Sequence, residues 1–246
     1  MLVDVHAHLT IGQFDKDIDE VMKRNKDVTI IENGLDYENN LKVLELAGKY
    51  KNVRAALGLY PTHAVEINDE NFANVLKFIK KNKSKTCAVG EIGLDLQEIE
   101  DVKLQRERFI ELVELARKID KPVIVHSRKA EKETVEALES TGYKKVVMHC
   151  FCGNMKLVKR IEDNGWFITI PVIVLNSQQF QLIAERVSIN QILTETDSPY
   201  LHFNKNERNE PRNVSYSLKK ISEIKNMDED EVKKNIFMNF QKLFKK

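Results

Sequence analysis

The sequence predicts an α/β protein built as a (β/α)8 barrel, and three observations carry that prediction. Short apolar, β-rich runs recur eight times, the segments between them show helical periodicity with charged intervening positions, and no Gly/Ser-rich linker interrupts the rhythm. Eight such units occupy roughly 250 residues, and the chain has 246. One domain over residues 1–246 is therefore expected, with a doubly wound sheet as the other architecture that alternating strands and helices allow.

The predicted strands are Leu2–Val5, Val28–Ile31, Val53–Leu57, Cys87–Val89, Pro122–Val125, Lys145–Met148, Phe167–Ile170 and Ile192–Leu193. After the first, Phe14, Ile18, Val21 and Met22 recur at helical spacing; after the fourth, Phe109, Leu112, Val113 and Ala116 do the same. In a barrel of this kind the chemistry sits where strands end and βα loops begin, so those positions are the ones to inspect.

Composition narrows the function classes. Hydrophobic residues at 42%, charged residues at 31%, nine Gly and five Pro describe a chain able to bury a large core, which excludes disordered and collagen-like classes. The longest apolar stretch, Trp166 to Leu175, is broken by Thr169 and Pro171 and falls short of the ~18 residues of a membrane span. A strand pattern begins at Leu2 where a secretory signal would be basic and apolar, and the three cysteines, Cys87, Cys150 and Cys152, are too few and odd in number for a disulfide framework. A cytoplasmic protein with free thiols is expected. The net charge of +1 lacks the basic footprint of a protein that grips long duplex DNA. Residues 201–246 carry 11 basic and 7 acidic side chains, an excess that solvated helix faces explain as well as a binding surface does. Nothing marks a membrane surface or an obligate protein partner.

Four of the six histidines and two acids fall at the expected strand ends: His6 and His8 after the first strand, Glu91 after the fourth, His126 after the fifth, His149 after the sixth and Asp197 after the eighth. In an extended chain residues i and i+2 share a face, so His6 and His8 can reach one metal ion. Each histidine alone also fits a capped surface residue or a satisfied core residue, and Asp197, ahead of Ser198-Pro199, also fits a helix N-cap. Their common placement favours ligands. Neutral imidazoles suit Zn, Mn, Fe or Co, and a carboxylate at Glu91 could bridge two cations. Asp197 could bind one of them and accept a proton from an attacking water.

The motifs around these residues resemble the TatD family of metal-dependent deoxyribonucleases, amidohydrolase-like TIM barrels, nearly end to end. Asp4-Val5-His6-Ala7-His8-Leu9 resembles the family's opening, Gly90-Glu91-Ile92-Gly93-Leu94-Asp95 its fourth-strand segment, and Pro122 to Ala130 its P-V-I-I-H-S-R-x-A segment. His149-Cys150-Phe151-Cys152-Gly153 and Glu195-Thr196-Asp197-Ser198-Pro199-Tyr200-Leu201 are similar to the two later signatures, followed by Asn209-Glu210-Pro211. The resemblance implies two divalent ions (Zn, Mn, Mg or Co) on His6, His8, Glu91, His126, His149 and Asp197, with Asp197 and Glu91 catalytic. It also implies hydrolysis of a phosphodiester, commonly from the ends of DNA.

Three departures from the family pattern are visible. Gly58-Leu59-Tyr60-Pro61-Thr62-His63 puts Tyr60 where many members have His, Leu96 follows Asp95 where a Tyr is common, and Pro171-Val172 replaces Ser-Gly after the seventh strand. Tyr60 or His63 could still contact a phosphate. Arg128, beside His126, is a candidate phosphate clamp, Arg208 a weaker version of the same idea, and Glu195 a candidate for orienting a ligand. His202 reads as a solvated loop residue. Cys150 and Cys152 lack the paired spacing of a structural zinc site. The competing activity is a metal-dependent amidohydrolase-type enzyme acting on a C–N or ester bond, such as an aminoacyl ester. A barrel that binds metal or a partner without turnover is the non-enzyme possibility.

Overall fold

A computed structural model describes residues 1–97 and 102–244. Eight strands form one sheet in sequence order: β1 (Leu2–Ala7), β2 (Val28–Asn33), β3 (Val53–Leu57), β4 (Thr86–Asp95), β5 (Val123–Arg128), β6 (Val146–Met148), β7 (Phe167–Pro171) and β8 (Ile192–Glu195). Each pairs in parallel with the next. The seam between β8 and β1 is joined by a bridge from Ala7 to Ser198. Around it, Thr194 Oγ1 donates to the Val3 carbonyl at 2.6 Å, Asp197 N–H to the His6 carbonyl at 2.8 Å, and His8 N–H to the Ser198 carbonyl at 2.8 Å. The barrel predicted from the repeat is the barrel observed.

Among the described residues ten α-helices wrap it: α1 (Ile18–Arg24), α2 (Tyr37–Lys49), α3 (Pro61–Glu66), α4 (Asp69–Lys81), α5 (Val102–Lys118), α6 (Glu131–Thr141), α7 (Met155–Asp163), α8 (Gln178–Arg186), α9 (Val214–Lys225) and α10 (Glu229–Leu243). Their starts follow local chemistry. Asn154 accepts the Lys156 and Leu157 N–H groups ahead of α7, and Asp228 does the same for Asp230 and Glu231 ahead of α10. In α4, Phe72, Val75 and Ile79 recur at helical spacing and are the residues it buries.

One buried cluster takes a residue from every strand: Val3, Ile31, Ala56, Ala88, Ile124, Val147, Phe167 and Leu193. Only the barrel interior lets all eight strands meet, and Phe240, Leu243 and Phe244 from the end of the chain pack against it. A larger apolar cluster fills the space between strands and helices. No helix among the described residues is long and apolar enough to cross a membrane.

Several strands outrun their predicted ends, and this corrects the placement of three site residues. His6, Glu91 and His126 lie within β1, β4 and β5 rather than after them. The discrepancy is largest in β4, expected to end at Val89 but extending to Asp95, because pairing with β5 continues through Gly93–His126 and Asp95–Arg128. Gly90 and Gly93 make the run look like a loop, yet the missing side chains are what allow it. A Cβ on Gly93, whose φ is +151°, would lie 2.0 Å from the His126 carbonyl oxygen. Gly58, just after β3, likewise lets the chain press on the backbone of Gly90 and Glu91, where a Cβ would meet atoms at 2.4–2.5 Å.

Replacing Gly93 by Ala is expected to destabilise the protein by about 3 kcal/mol through combined clash and backbone strain. Gly48→Ala, inside α2 with nothing within 4 Å of the added methyl, is expected to stabilise it by roughly 0.5–1 kcal/mol. Urea midpoints of the two variants check both signs.

Candidate metal centre

The strand ends bring all six predicted ligands together, and three of the four histidines come with an outer partner that aims the ring. His8 Nδ1 donates to the Asn33 carbonyl at 3.1 Å, leaving the Nε2 lone pair facing the cluster. His149 Nδ1 donates to Glu195 Oε2 at 2.7 Å, with the same result. His126 is turned the other way: Nε2 faces Asp95 Oδ2 at 3.2 Å and Nδ1 faces Glu91 Oε1 at 2.7 Å. These outer bonds fix both the tautomer and the ring orientation. His6 differs, for its buried Nδ1 has no hydrogen-bond partner among the described residues and its ring stacks on His149, centroids 3.6 Å apart.

Glu91 divides the set. Its Oε2 lies 3.3 Å from the Nε2 atoms of both His6 and His8, while Oε1 faces His126 and, at 3.8 Å, His149 Nε2. Asp197 Oδ1 completes the first group at 3.5 Å from His6 and 3.4 Å from His8, whose Nε2 atoms are 2.9 Å apart. Separations of 2.9–3.5 Å are the edges expected of a coordination shell with bonds of about 2.1 Å. The donors His6, His8 and Asp197, and separately Glu91, His126 and His149, lie within 4.8 Å of one another. This cluster of imidazoles and carboxylates can hold metal.

Electrostatics reinforce the point. Burial would neutralise Glu91, but the surrounding imidazoles, His6 foremost, hold it well below the usual carboxylate range. Burial pushes His8 down, yet the Asp197 and Glu91 carboxylates overrule it and raise it well above an ordinary histidine. The same contest, won by Glu195, lifts His149 to about 9. His6 goes the other way, lowered by burial and by His149. Positive charge is thus wanted at the centre whether it arrives as protons or as a metal ion.

The cavity above these donors measures about 790 Å3. Tyr60, His63 and Arg128 line it, as do Cys150, Cys152 and Tyr200. The Arg128 side chain is exposed and makes no hydrogen bond or ion pair among the described residues. Tyr60 is otherwise occupied: its hydroxyl donates to Asp95 Oδ2 at 2.7 Å and sits 3.3 Å from His126 Nε2. Burial and the Glu91 carboxylate push its pKa up, so it remains a donor. His63 Nδ1 donates to the Leu35 carbonyl at 3.0 Å. Arg208 does not reach the cavity, which corrects its expected role. Its guanidinium forks onto Asp17 at 2.8 and 2.5 Å and lies over the Phe14 ring, tying the loop after β8 to the segment before α1. His202, expected to be solvated, instead stacks on Phe203 with its side chain only 6% exposed, and the Cys152 thiol donates to the Cys150 carbonyl at 3.4 Å.

Sequence reasoning missed three supports. Asp4, two residues before His6, is fully buried and accepts from the His6 N–H and from Thr196, tying β1 to the segment that carries Asp197. Glu32 accepts the N–H groups of Leu9 and Thr10, both at 2.8 Å, and so shapes the turn after His8. Asp95, opposed by burial, is held down to about 2 by its bonds to His126 and Tyr60. Strand parity was the available signal, since Asp4 and Asp95 stand two and four residues from a ligand.

A family signature described as TatD related DNase matches residues 3–245. The chain belongs to this family. An uncharacterized metal-dependent hydrolase of Methanocaldococcus jannaschii is 36% identical, covering 99% of this chain and 97% of that one. The human deoxyribonuclease TATDN3 is 32% identical over 100% of this chain and 95% of its own length. Among solved structures, a TatD homolog from Escherichia coli K12 superposes with a TM-score of 0.90 at 26% identity, covering 99% of this chain and 97% of that one.

Because His149 gains its proton affinity on folding, its contribution to stability is full below the unfolded value near 6.5 and is lost as pH rises through about 9. Chelator-treated protein is therefore expected to lose thermal stability across that window. In Glu195→Gln the loss should be much smaller, which a melting series from pH 6 to 9.5 checks.

Proposed function

We propose that the chain is a divalent-metal-dependent phosphodiesterase, a deoxyribonuclease that releases nucleotides from DNA ends. The observation that carries this reading is the divided donor set: Glu91 directs one oxygen to His6 and His8, which Asp197 also faces, and the other to His126 and His149, with a guanidinium uncommitted among the described residues across the cavity. In this reading His6, His8, Glu91 and Asp197 would hold one ion and Glu91, His126 and His149 would hold a second, of Zn, Mn, Mg or Co. Divalent ions there supply Lewis-acid polarisation of a phosphoryl oxygen and make water acidic enough to attack near neutral pH.

The chain's own groups do the rest. Asp197 is the donor-set carboxylate open to the cavity, its side chain 16% exposed against 3% for Glu91. Its pKa is lowered, against burial, by His8 and the neighbouring histidines. It is therefore ionised and reachable, as a base that takes a proton from water must be. Arg128 offers a planar fork to the non-bridging phosphate oxygens. Tyr60 and Asp95 act from behind His126, fixing its ring, so Tyr60 positions a ligand and is not the phosphate donor. Support for DNA as the substrate comes from the family and from the human relative's activity. Free cysteines support a cytoplasmic setting.

The test is metal-stripped and metal-reloaded protein on end-labelled single-stranded DNA. Nucleotide release that requires metal and falls at least ~100-fold in Asp197→Asn, with unchanged circular dichroism, is the expected outcome. Asp197→Asn retaining most of the turnover would overturn the role given to that carboxylate. No release with any of the four metals, alongside hydrolysis of aminoacyl or other esters, would move the assignment to the C–N or ester hydrolase. Arg128→Ala should raise KM for a phosphodiester about tenfold and change kcat less.

A further inference from the structure

A second groove, of about 650 Å3, lies beside the metal cavity between the start of α2, α3 and α4. His63 and Glu66 line both spaces, so the groove adjoins the metal cavity. Leu59, Ile67, Val75 and Phe78 give it an apolar wall. Tyr37 packs on Phe78 with ring centroids 4.9 Å apart and planes inclined at 57°, yet it remains 41% exposed. An aromatic ring that is braced on one side and open on the other is a stacking surface for a flat heterocycle.

The polar groups narrow the occupant further. Asn71 and Asn74 are exposed on α4, and their side chains make no hydrogen bond among the described residues. An amide offers both donors and an acceptor, as the edge of a nucleobase requires. Three carboxylates, Asp36, Glu38 and Glu66, also line the groove and would repel a phosphate placed among them. They match the exocyclic amino groups of a base. Lys77 and Lys81, exposed and one helical turn apart, make no ion pair among the described residues and match a backbone phosphate at the groove's edge.

We propose that this groove is a nucleobase subsite: it stacks on Tyr37 the base of a nucleotide flanking the bond to be cut. The subsite rests on the phosphodiesterase reading and gives that enzyme a grip on its substrate away from the reacting phosphate. Bases with an exocyclic amino group, adenine, cytosine and guanine, bind there better than thymine, because thymine carries no amino group for the carboxylates. The groove also accounts for how a chain of near-neutral charge can hold nucleic acid, through local stacking instead of a broad basic face.

The experiment compares the metal-loaded wild type with Tyr37→Ala and Tyr37→Phe on two substrates: single-stranded DNA oligomers (poly-dA, poly-dC and poly-dT) and bis(4-nitrophenyl) phosphate, which is too short to span both cavities. The expected result is a KM for the oligomers raised about tenfold in Tyr37→Ala. Tyr37→Phe should restore it to within about twofold, since it keeps the stacking face. The small ester should be hydrolysed equally by all three proteins, and the wild type should prefer dA and dC over dT. Oligomer hydrolysis indifferent to Tyr37→Ala, or an equal loss on the small ester, overturns the subsite while the phosphodiesterase reading stands. A wild type inert on both substrates overturns the phosphodiesterase reading and the subsite with it.

Discussion

The structure turns on one buried carboxylate. Glu91 is 2% exposed, and taking a carboxylate out of water costs several kcal/mol unless positive charge or hydrogen bonds replace the solvent. Here the replacement comes from imidazoles on β1, β5 and the turn after β6, which converge on its two oxygens from opposite sides. That convergence sets demands on everything around it. The rings must point inward, so their outer nitrogens are held by Asn33, Asp95 and Glu195. The strands must come close, so Gly58 and Gly93 carry no side chain where the backbone passes.

The barrel separates this polar layer from the layer that stabilises the fold. One apolar residue from each strand packs inside the barrel and is covered by aromatic rings from the end of the chain. Charged and polar groups gather at the opposite ends of the strands, where loops can cover or expose them. Stability and chemistry thus occupy different levels of one barrel. Polar atoms in the upper level are mostly satisfied by one another, and His6 Nδ1 is among the few buried exceptions.

Much of this was legible because the relevant signals are local. Alternating runs of apolar and helical periodicity located all eight strands, and strand ends located the six donors. What was illegible depends on register and on distant pairing. The two glycines of β4 carry the ordinary mark of a loop, and only the neighbouring strand shows that they extend the ladder. Arg208 looked available because its partner, Asp17, lies on the far side of the sequence. The engagement of Tyr60 by Asp95 also joins residues from different strand ends, with no spacing in the sequence to announce it. The groove at Tyr37 needed three helices to be placed together before it existed.

The seam between β8 and β1 has a consequence for how the protein comes into being. His6 and His8 lie far upstream of Thr194, Asp197 and Ser198, which share the seam with them, so a ribosome makes the two sides of the seam far apart in time. During synthesis the first strand must wait, its edge unpaired on one side, until the eighth emerges. The donor set therefore stays incomplete until Asp197 joins the histidines. Until then a growing chain carries no finished hydrolytic centre, and a product terminated ahead of Asp197 lacks one as well.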